Sequence, residues 1–411
     1  MASENNLNAV FTDIANAIRD KKGTTDKIKP INMAAEILTI SSDGEISVKY
    51  FITKRNAQYL FYGCNSLTDE QLTSILNYDA TSNATNMAHM FESCHKLTTI
   101  PLINTSNVTI MREMFRGCDA LTTIPLIDTS KVNNMINMFY YCEKLTTIPQ
   151  LDTGRVTDMY EMFLYCHALT TIPLIDTSSC KNMREMFREC SSLTTIPQLN
   201  TSKVTDMTNM FMKCSSLTSI PQLDTSNATA TAYMFQFCAE LTSVPQLDTS
   251  KVTAIRGMFY GCSKLTTIPQ LNTSSATDMA NMFYNCTSLT SVPQLDTSSC
   301  TDMNEMFFGC YVLEKIDITK LSNGNNSYFA YNCYSLKTLI IRTMDTIPTL
   351  NSDAFTKCYH FYGTTDATYN PNGLKDGAIY VPDDKVASLK TASNWSVFAD
   401  IIKPLSEYTG E

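Results

Sequence analysis

The stretch VTDMTNMFMKCSSLTSIPQLDTSN, Val204 to Asn227, is one copy of a unit that recurs through most of a 411-residue chain. Its signature, Met-Phe followed by two variable residues and Cys, appears ten times. The copies end at Cys94, Cys118, Cys142, Cys166, Cys190, Cys214, Cys238, Cys262, Cys286 and Cys310, always 24 residues apart. Less regular copies flank them. Cys64 lies 30 residues before Cys94, which implies a six-residue insertion around Thr68–Tyr78, and Cys333 and Cys358 follow at spacings of 23 and 25. A fixed period of this length marks a solenoid, because one such unit cannot bury its own apolar face and must stack on its neighbours.

The unit reads as three pieces. Met207, Met210, Phe211 and Cys214 fall at i, i+3, i+4 and i+7, the spacing of one face of a short helix. Leu217-Thr218-Ser219-Ile220-Pro221 then places Leu and Ile as buried anchors around a short strand. Proline has no amide to give a ladder, so its recurrence should end that strand. Asp224-Thr225-Ser226 favours a turn, since these side chains bond nearby backbone groups. At a strand spacing of about 4.8 Å, twelve stacked units would extend over roughly 55–60 Å.

The strings MFYGCSKLTTIPQL and DTSKVTDM resemble the BspA-like leucine-rich repeat proteins, a family of bacterial and phage surface proteins. The tail AIYVPDDKVASLKTASNWSVFADIIKPLSEY, residues 378–408, resembles the C-terminal cap of many of them. Together the similarity spans roughly residues 45–408. The array departs from the usual family pattern by carrying Ile-Pro where many members have Leu-Asp-Leu, which shortens the strand and alters curvature. The resemblance implies adhesion or recognition and specifies no ligand. The fold class it implies, together with the repeat, is α/β: a leucine-rich-repeat-type solenoid of about 10–12 turns with a short helical N-terminal segment and an α/β C-terminal cap.

Three segments follow. Residues 1–40 are a helical attachment segment, 41–333 the repeat solenoid, and 334–411 irregular last repeats and cap. In the first, Leu7, Val10, Phe11, Ile14 and Ile18 make one apolar helix face that Gly23 terminates, and a second short helix runs from Pro30 to Leu38. Forty residues are too few for a robust core, so this segment docks on the solenoid, on another copy, or on a partner. The string FTDIANAIRDKKGTTDKIKPINMAAEI resembles a short module at the start of phage tail and fibre proteins, which implies attachment to a virion. In the last segment, Ala378–Val381 reads as a strand and Asp383–Thr391 as helical.

Composition narrows the function. A net charge of −9 and a pI near 5.1 offer no basic footprint for nucleic acid. No apolar run approaches the roughly 18 residues of a membrane span, so membrane insertion is not expected. The N-terminus lacks the basic and apolar regions of a signal peptide, which argues against ordinary export and for release by lysis or on a particle.

Thirteen of the fifteen cysteines occupy the Met-Phe-x-x-Cys position or its flanking equivalents. Cys180 and Cys300 fill a slot held elsewhere by Val132, Val156, Val204, Val252, Ala228 or Ala276. A slot shared with Val and Ala is a small buried apolar site, so buried thiols are expected rather than disulfides or metal. Eighteen of 22 methionines are core filler by the same logic. His89, His95, His167 and His360 do not cluster. The column Asn104, Asp128, Asp152, Asp176, Asn200, Asp224, Asp248, Asn272, Asp296 fits turn hydrogen bonds better than calcium ligation. No phosphate loop, nucleophile elbow or HExxH helix is present. The chain is therefore expected to be no enzyme and to hold no cofactor or metal.

What remains is binding. The positions without core duty are the pair between the two methionines, the pair between Phe and Cys, and the pair after Cys. They carry Arg112, Arg116, Tyr140, Tyr141, Tyr160, Tyr165, Arg184, Arg188, Tyr233, Phe237, Arg256, Tyr260, Tyr284 and Phe308. Tyr and Arg favour interfaces, and these form the candidate binding surface, with the exposed Thr/Ser pairs as its competitor. The main expectation is a phage tail or fibre component in the virion, binding a bacterial cell-surface protein or glycan through its array and virion proteins through its N-terminus. The alternatives are a bacterial surface adhesin of the same fold and a purely structural virion subunit. Self-association as a homo-oligomer is a further expectation.

Overall fold

In a computed structural model of the chain, residues 56–76 and 78–410 are described. The N-terminal helices expected at 7–18 and 30–38 lie outside them. The chain divides into two compact units, Met1–Lys203 and Val204–Glu411.

In the first unit, the expected repeat helix is replaced by turns. From Ser82 to Lys203 the described residues hold neither α-helix nor strand. Met111–Met114 and Phe115–Cys118 are consecutive four-residue turns, each closed by a hydrogen bond from its fourth amide to its first carbonyl, at 3.2 and 3.0 Å. Their third residues, Glu113 and Gly117, are left-handed at φ 55° and 70°, as a type II turn demands. The first and last residues of both turns point inward. Two such turns therefore bury i, i+3, i+4 and i+7, the same set as a helix.

A helix is excluded because the amides are used elsewhere. Met111, Glu113, Phe115 and Gly117 donate to the carbonyls of Asn134, Ile136, Met138 and Tyr140 in the next turn, at 2.7–3.0 Å. Isolated parallel bridges join Asn86 to Ile110, Ile110 to Asn134, and Asp158 to Asn182. The expected strand is likewise absent. Proline limits it to one rung per turn, such as Thr122 N–H to Thr98 O at 2.9 Å and Thr146 N–H to Thr122 O at 3.1 Å.

The core consists of columns. Phe61, Phe91, Phe115, Phe139, Phe163 and Phe187 stack with centroids 5.5–5.6 Å apart and planes within 9°. Beside them the thiols of the Met-Phe-x-x-Cys position donate to the phenylalanine carbonyl of the preceding turn: Cys118 to Phe91 at 3.0 Å, Cys142 to Phe115 and Cys166 to Phe139 at 3.1 Å. All fifteen cysteines of the chain are buried thiols. The Asp-Thr-Ser turns form as expected. Asp128 Oδ1 accepts from Ser130 N–H at 2.9 Å and from its hydroxyl at 2.7 Å, while Thr153 and Thr177 turn inward and donate to Asp176 O and Asn200 O.

The insertion after Cys64 forms helix α1, Asp69–Ile75, opened by a capping box between Thr68 and Gln71, and a 3-10 turn at Tyr78–Thr81. The Asp69 carboxylate accepts from the Thr98 amide at 2.9 Å and from the Thr98 hydroxyl. It thereby takes the place of a preceding threonine rung.

The second unit repeats this construction from Val204 to Glu314. Phe211, Phe235, Phe259, Phe283 and Phe307 stack at 5.3–5.7 Å. Cys238, Cys262, Cys286 and Cys310 donate to Phe211, Phe235, Phe259 and Phe283 carbonyls at 3.0–3.1 Å. True strands begin where Ile-Asp-Ile replaces Ile-Pro. β1 (Lys315–Ile318), β2 (Thr338–Ile341), β3 (Ala378–Val381) and β4 (Ile402–Pro404) form one parallel sheet in the order β1-β2-β3-β4. Ile316, Leu339, Ile379 and Ile402 lie in one register row and are buried.

Short helices α2 (Tyr359–Tyr362) and α3 (Val386–Leu389) accompany the sheet, with a 3-10 turn at Asp383–Lys385. The strand at Ala378–Val381 and the helical turns after Asp383 stand where the sequence put them. Trp395 is fully buried and its indole N–H donates to Pro348 O at 2.9 Å. No helix among the described residues is long and apolar enough to cross a membrane.

Candidate functional site

The turn geometry decides which side chains face water. Of the two residues between the methionines, the first is exposed or half-buried except at Ala88 and Ala280, and the left-handed second is half-buried or buried where it is glutamate. Glu113 and Glu185 are buried, so this position is not uniformly without a structural duty.

In the first unit the candidate residues meet around these carboxylates. Arg112 Nε donates to Glu113 Oε1 at 2.9 Å. Arg116 Nη1 donates to Glu113 Oε2 at 3.0 Å and to Glu92 Oε1 at 3.1 Å. Burial raises the Glu113 carboxyl, but the Arg112 hydrogen bond and the His89 and Arg116 charges outweigh it and leave it below the ordinary value. Arg116 also sits 5.0 Å over the Tyr140 ring. Tyr140 meets Tyr141 at 4.8 Å, and Tyr141 stacks on Tyr165 at 4.2 Å. The Tyr160 phenol is pushed up to about 12, first by its hydrogen bond to Glu161 and then by burial. Arg184 Nε and Arg188 Nη1 clamp Glu185 at 3.2 and 2.7 Å. Arg112, Tyr141 and Arg184 are exposed, and Arg116, Tyr140, Tyr160, Tyr165 and Arg188 are half-buried.

In the second unit Tyr260, Tyr284 and Phe308 form a stacked ladder, at 4.4 and 4.6 Å with planes within 7°. Phe237 is 42% exposed and meets Tyr260 edge-on at 5.1 Å. Arg256 bridges Asp278 and Asp302, both at 2.8 Å. Tyr233 lies over Gly257, where an added Cβ would come within 2.3 Å of its ring. Because the ladder rings cover each other's faces, they present edges and hydroxyls to a partner.

Sequence reasoning missed three features. The ladder continues through Tyr331, 5.0 Å from Phe308, and a second runs Tyr311–Tyr334–Tyr359 at 4.9 and 5.2 Å. Counting back or forward from Cys310, Cys333 and Cys358 would have found both. Leu102, Leu126 and Leu174 stand 53%, 65% and 62% exposed in the residue after proline, with Gln150 in the turn between the last two. Finally, His89 Nδ1 lies 2.5 Å from Glu92 Oε2 and 3.5 Å from Glu113 Oε2, the one group with metal-ligand composition among the described residues. Its carboxylates are already matched by Arg112 and Arg116, and the shorter contact is a hydrogen bond. The donor set fits an ion network better than a metal.

A groove of about 610 Å³ follows Gln246, Gln270 and Gln294 beside Asp248, Asn272 and Asp296. Its polar groups are engaged locally: Gln246 and Gln270 amides donate to the next turn's carbonyls, and Asp248 and Asn272 accept from Ser250 and Ser274. They do not converge on a point where a substrate atom would sit.

Stacked turns joined by backbone ladders, with a columnar core and a variable outer face, define in each unit a repeat protein of the leucine-rich solenoid class. A family model described as "Mycoplasma protein of unknown function, DUF285" matches residues 55–173, 141–244, 166–267 and 238–338, and the chain belongs to that family. No curated protein matches the chain. Among solved structures it is similar to a leucine-rich repeat protein from Eubacterium ventriosum, with 19% identity, TM-score 0.39, and 68% of this chain and 83% of that one covered. It is also similar to a leucine rich cell surface protein from Faecalibacterium prausnitzii, with 22% identity, TM-score 0.33 and coverages of 58% and 78%. A third is the functional domain of InlJ from Listeria monocytogenes, which includes a cysteine ladder, with 14% identity, TM-score 0.25 and coverages of 82% and 74%.

Proposed function

We propose that the chain is a non-catalytic recognition protein whose outer Arg/Tyr column binds a macromolecular partner at a bacterial cell surface, as an adhesin. The observation that carries this reading is the pre-assembled state of the column. Arg116, Tyr140, Tyr141 and Tyr165 already hold one another through cation–π and ring contacts, so a partner meets side chains whose ordering entropy is already lost. Exposed guanidinium groups and ring edges suit a protein with acidic and apolar groups, or a glycan approached by hydrogen bonds rather than by face stacking. Residues 1–40 then act as an attachment segment, 41–333 as the display array and 334–411 as its closing cap. A family described from a bacterial genus fits the bacterial setting of this reading.

A second reading, a phage tail or fibre component attached to its virion through residues 1–40, rests on the N-terminal string. Purified full-length protein, labelled and incubated with a panel of bacterial strains and animal cells, separates the two. Saturable binding to animal cells or to other bacteria supports the adhesin. Binding confined to closely related bacterial hosts supports the virion component. Absence of binding across the panel counts against both and favours a structural subunit.

A further inference from the structure

We infer that the exposed leucine stripe of the first unit, Leu102, Leu126 and Leu174, is the docking site for the chain's own amphipathic stretch at residues 7–18. The position after proline carries leucine at 102, 126 and 174 and glutamine at 150 and 198, whereas in the second unit it is glutamine at 222, 246, 270 and 294. The stripe is thus confined to the unit to which the N-terminus is joined. Half-buried Pro101, Pro125 and Pro173 lie beside the leucines and widen the apolar surface. Large exposed aliphatic side chains in one column, interrupted only by Gln150 and set among threonine, glutamine and aspartate, need a cover.

Residues 7–18 supply one of matching size. Their apolar set, Leu7, Val10, Phe11, Ile14 and Ile18, extends about 16 Å along a helix. Leu102 to Leu174 spans three turns, about 14 Å at strand spacing. The chain from Ile18 to the first described residue, Asn56, is long enough to reach any of these turns. Charge agrees in sign. Arg19, Lys21 and Lys22 follow the apolar set and outnumber Asp13 and Asp20, and Asp128, Asp152 and Asp176 stand exposed next to the leucines. Lys131 and Arg155 lie beyond those aspartates and reduce the field, so the apolar match carries more of the case than the charge.

The inference does not depend on what the array binds. A segment held this way turns its polar side outward, where it remains accessible for attachment. The test is hydrogen exchange of the full-length protein, read on peptides covering residues 5–22, for the wild type and for the triple variant Leu102→Asn/Leu126→Asn/Leu174→Asn. The substituted leucines are more than half exposed, and array peptides report whether the fold is kept. The expected result is slow exchange in the wild type, unchanged on dilution, and exchange faster by at least about tenfold in the variant. Ile14→Asn should have the same effect from the other side. Equal exchange of residues 5–22 in wild type and triple variant overturns the inference. Protection that disappears on dilution together with a dimer mass also overturns it, because the occupant is then a second copy.

Discussion

Each cysteine of the ten Met-Phe-x-x-Cys copies from Cys94 to Cys310 does two things in this fold. It fills a space too small for leucine, and its thiol satisfies a phenylalanine carbonyl one turn back, as Cys142 does for Phe115. Comparison with valine and alanine at the other cysteine slot reveals only the first role, since a donor's partner 27 residues away leaves no mark in composition. Cys142→Ala should therefore cost about 1–3 kcal/mol, read by denaturant unfolding. Burial also raises the Cys118 thiol from 9.0 to about 12, with Cys94 and Cys142 pushed well above the ordinary value. The unfolded chain then releases these protons at lower pH than the folded one. The stability contributed is complete below pH 9 and is lost as pH rises from about 9 towards 12. Denaturation midpoints measured across that range should fall steadily, and a flat profile would contradict the buried ladder. Gly257 tests the turn itself. It is left-handed at φ 57° under the Tyr233 ring, although Glu, Asn and Tyr occupy the equivalent left-handed position in other turns. Gly257→Asn should destabilise by about 1–3 kcal/mol with Tyr233 present and by clearly less in a Tyr233→Ala background, a coupling that a double-mutant cycle measures.

At the scale of the element, apolar spacing located the buried Met, Met, Phe and Cys positions of the repeat and misnamed their structure, and it did not reach the inward threonines such as Thr153. Two consecutive four-residue turns bury the same i, i+3, i+4, i+7 set as a helix, and the choice rests on where the amides bond. Those of Met111, Glu113, Phe115 and Gly117 go to the neighbouring turn, a tertiary fact that no single unit contains. The proline rule, by contrast, was legible and sufficient. Units with Ile-Pro have one rung, and Ile316-Asp317-Ile318 begins a sheet. Leu295 N–H already donates to Asp317 O at 3.0 Å, so the donor missing two residues earlier is that of Pro293. Pro293→Thr should create a new slowly exchanging amide at position 293, detectable by nuclear magnetic resonance or hydrogen exchange. If that amide exchanges at the rate of an exposed loop, proline is not what limits the strand.

On the scale of the whole molecule, the repeat array was evident from the cysteine period, and the outward columns followed from subtracting the core. The interactions between neighbouring turns of those columns, such as Arg116–Tyr140 and Tyr141–Tyr165, were not evident, because they join residues about a full turn apart. The bond from Arg116 back to Glu92 and the exposed leucines of the first unit appear only when the turns are stacked. The central claim is that the outer Arg/Tyr column is the recognition surface, and its exposed members in the first unit, Arg112, Tyr141 and Arg184, reach solvent while the two arginines also bond the buried Glu113 and Glu185. The decisive measurement is the affinity of the full-length chain for the cells it binds, beside the variant Arg112→Gln/Tyr141→Ala/Arg184→Gln, shown by its denaturation midpoint to keep the fold, and a control altered on the threonine face, Thr123→Ala/Thr147→Ala. Loss of at least about tenfold in affinity for the first variant, with the control unchanged, is the predicted outcome. Unchanged binding by the first variant, or loss confined to the control, would contradict the account and assign recognition to another face.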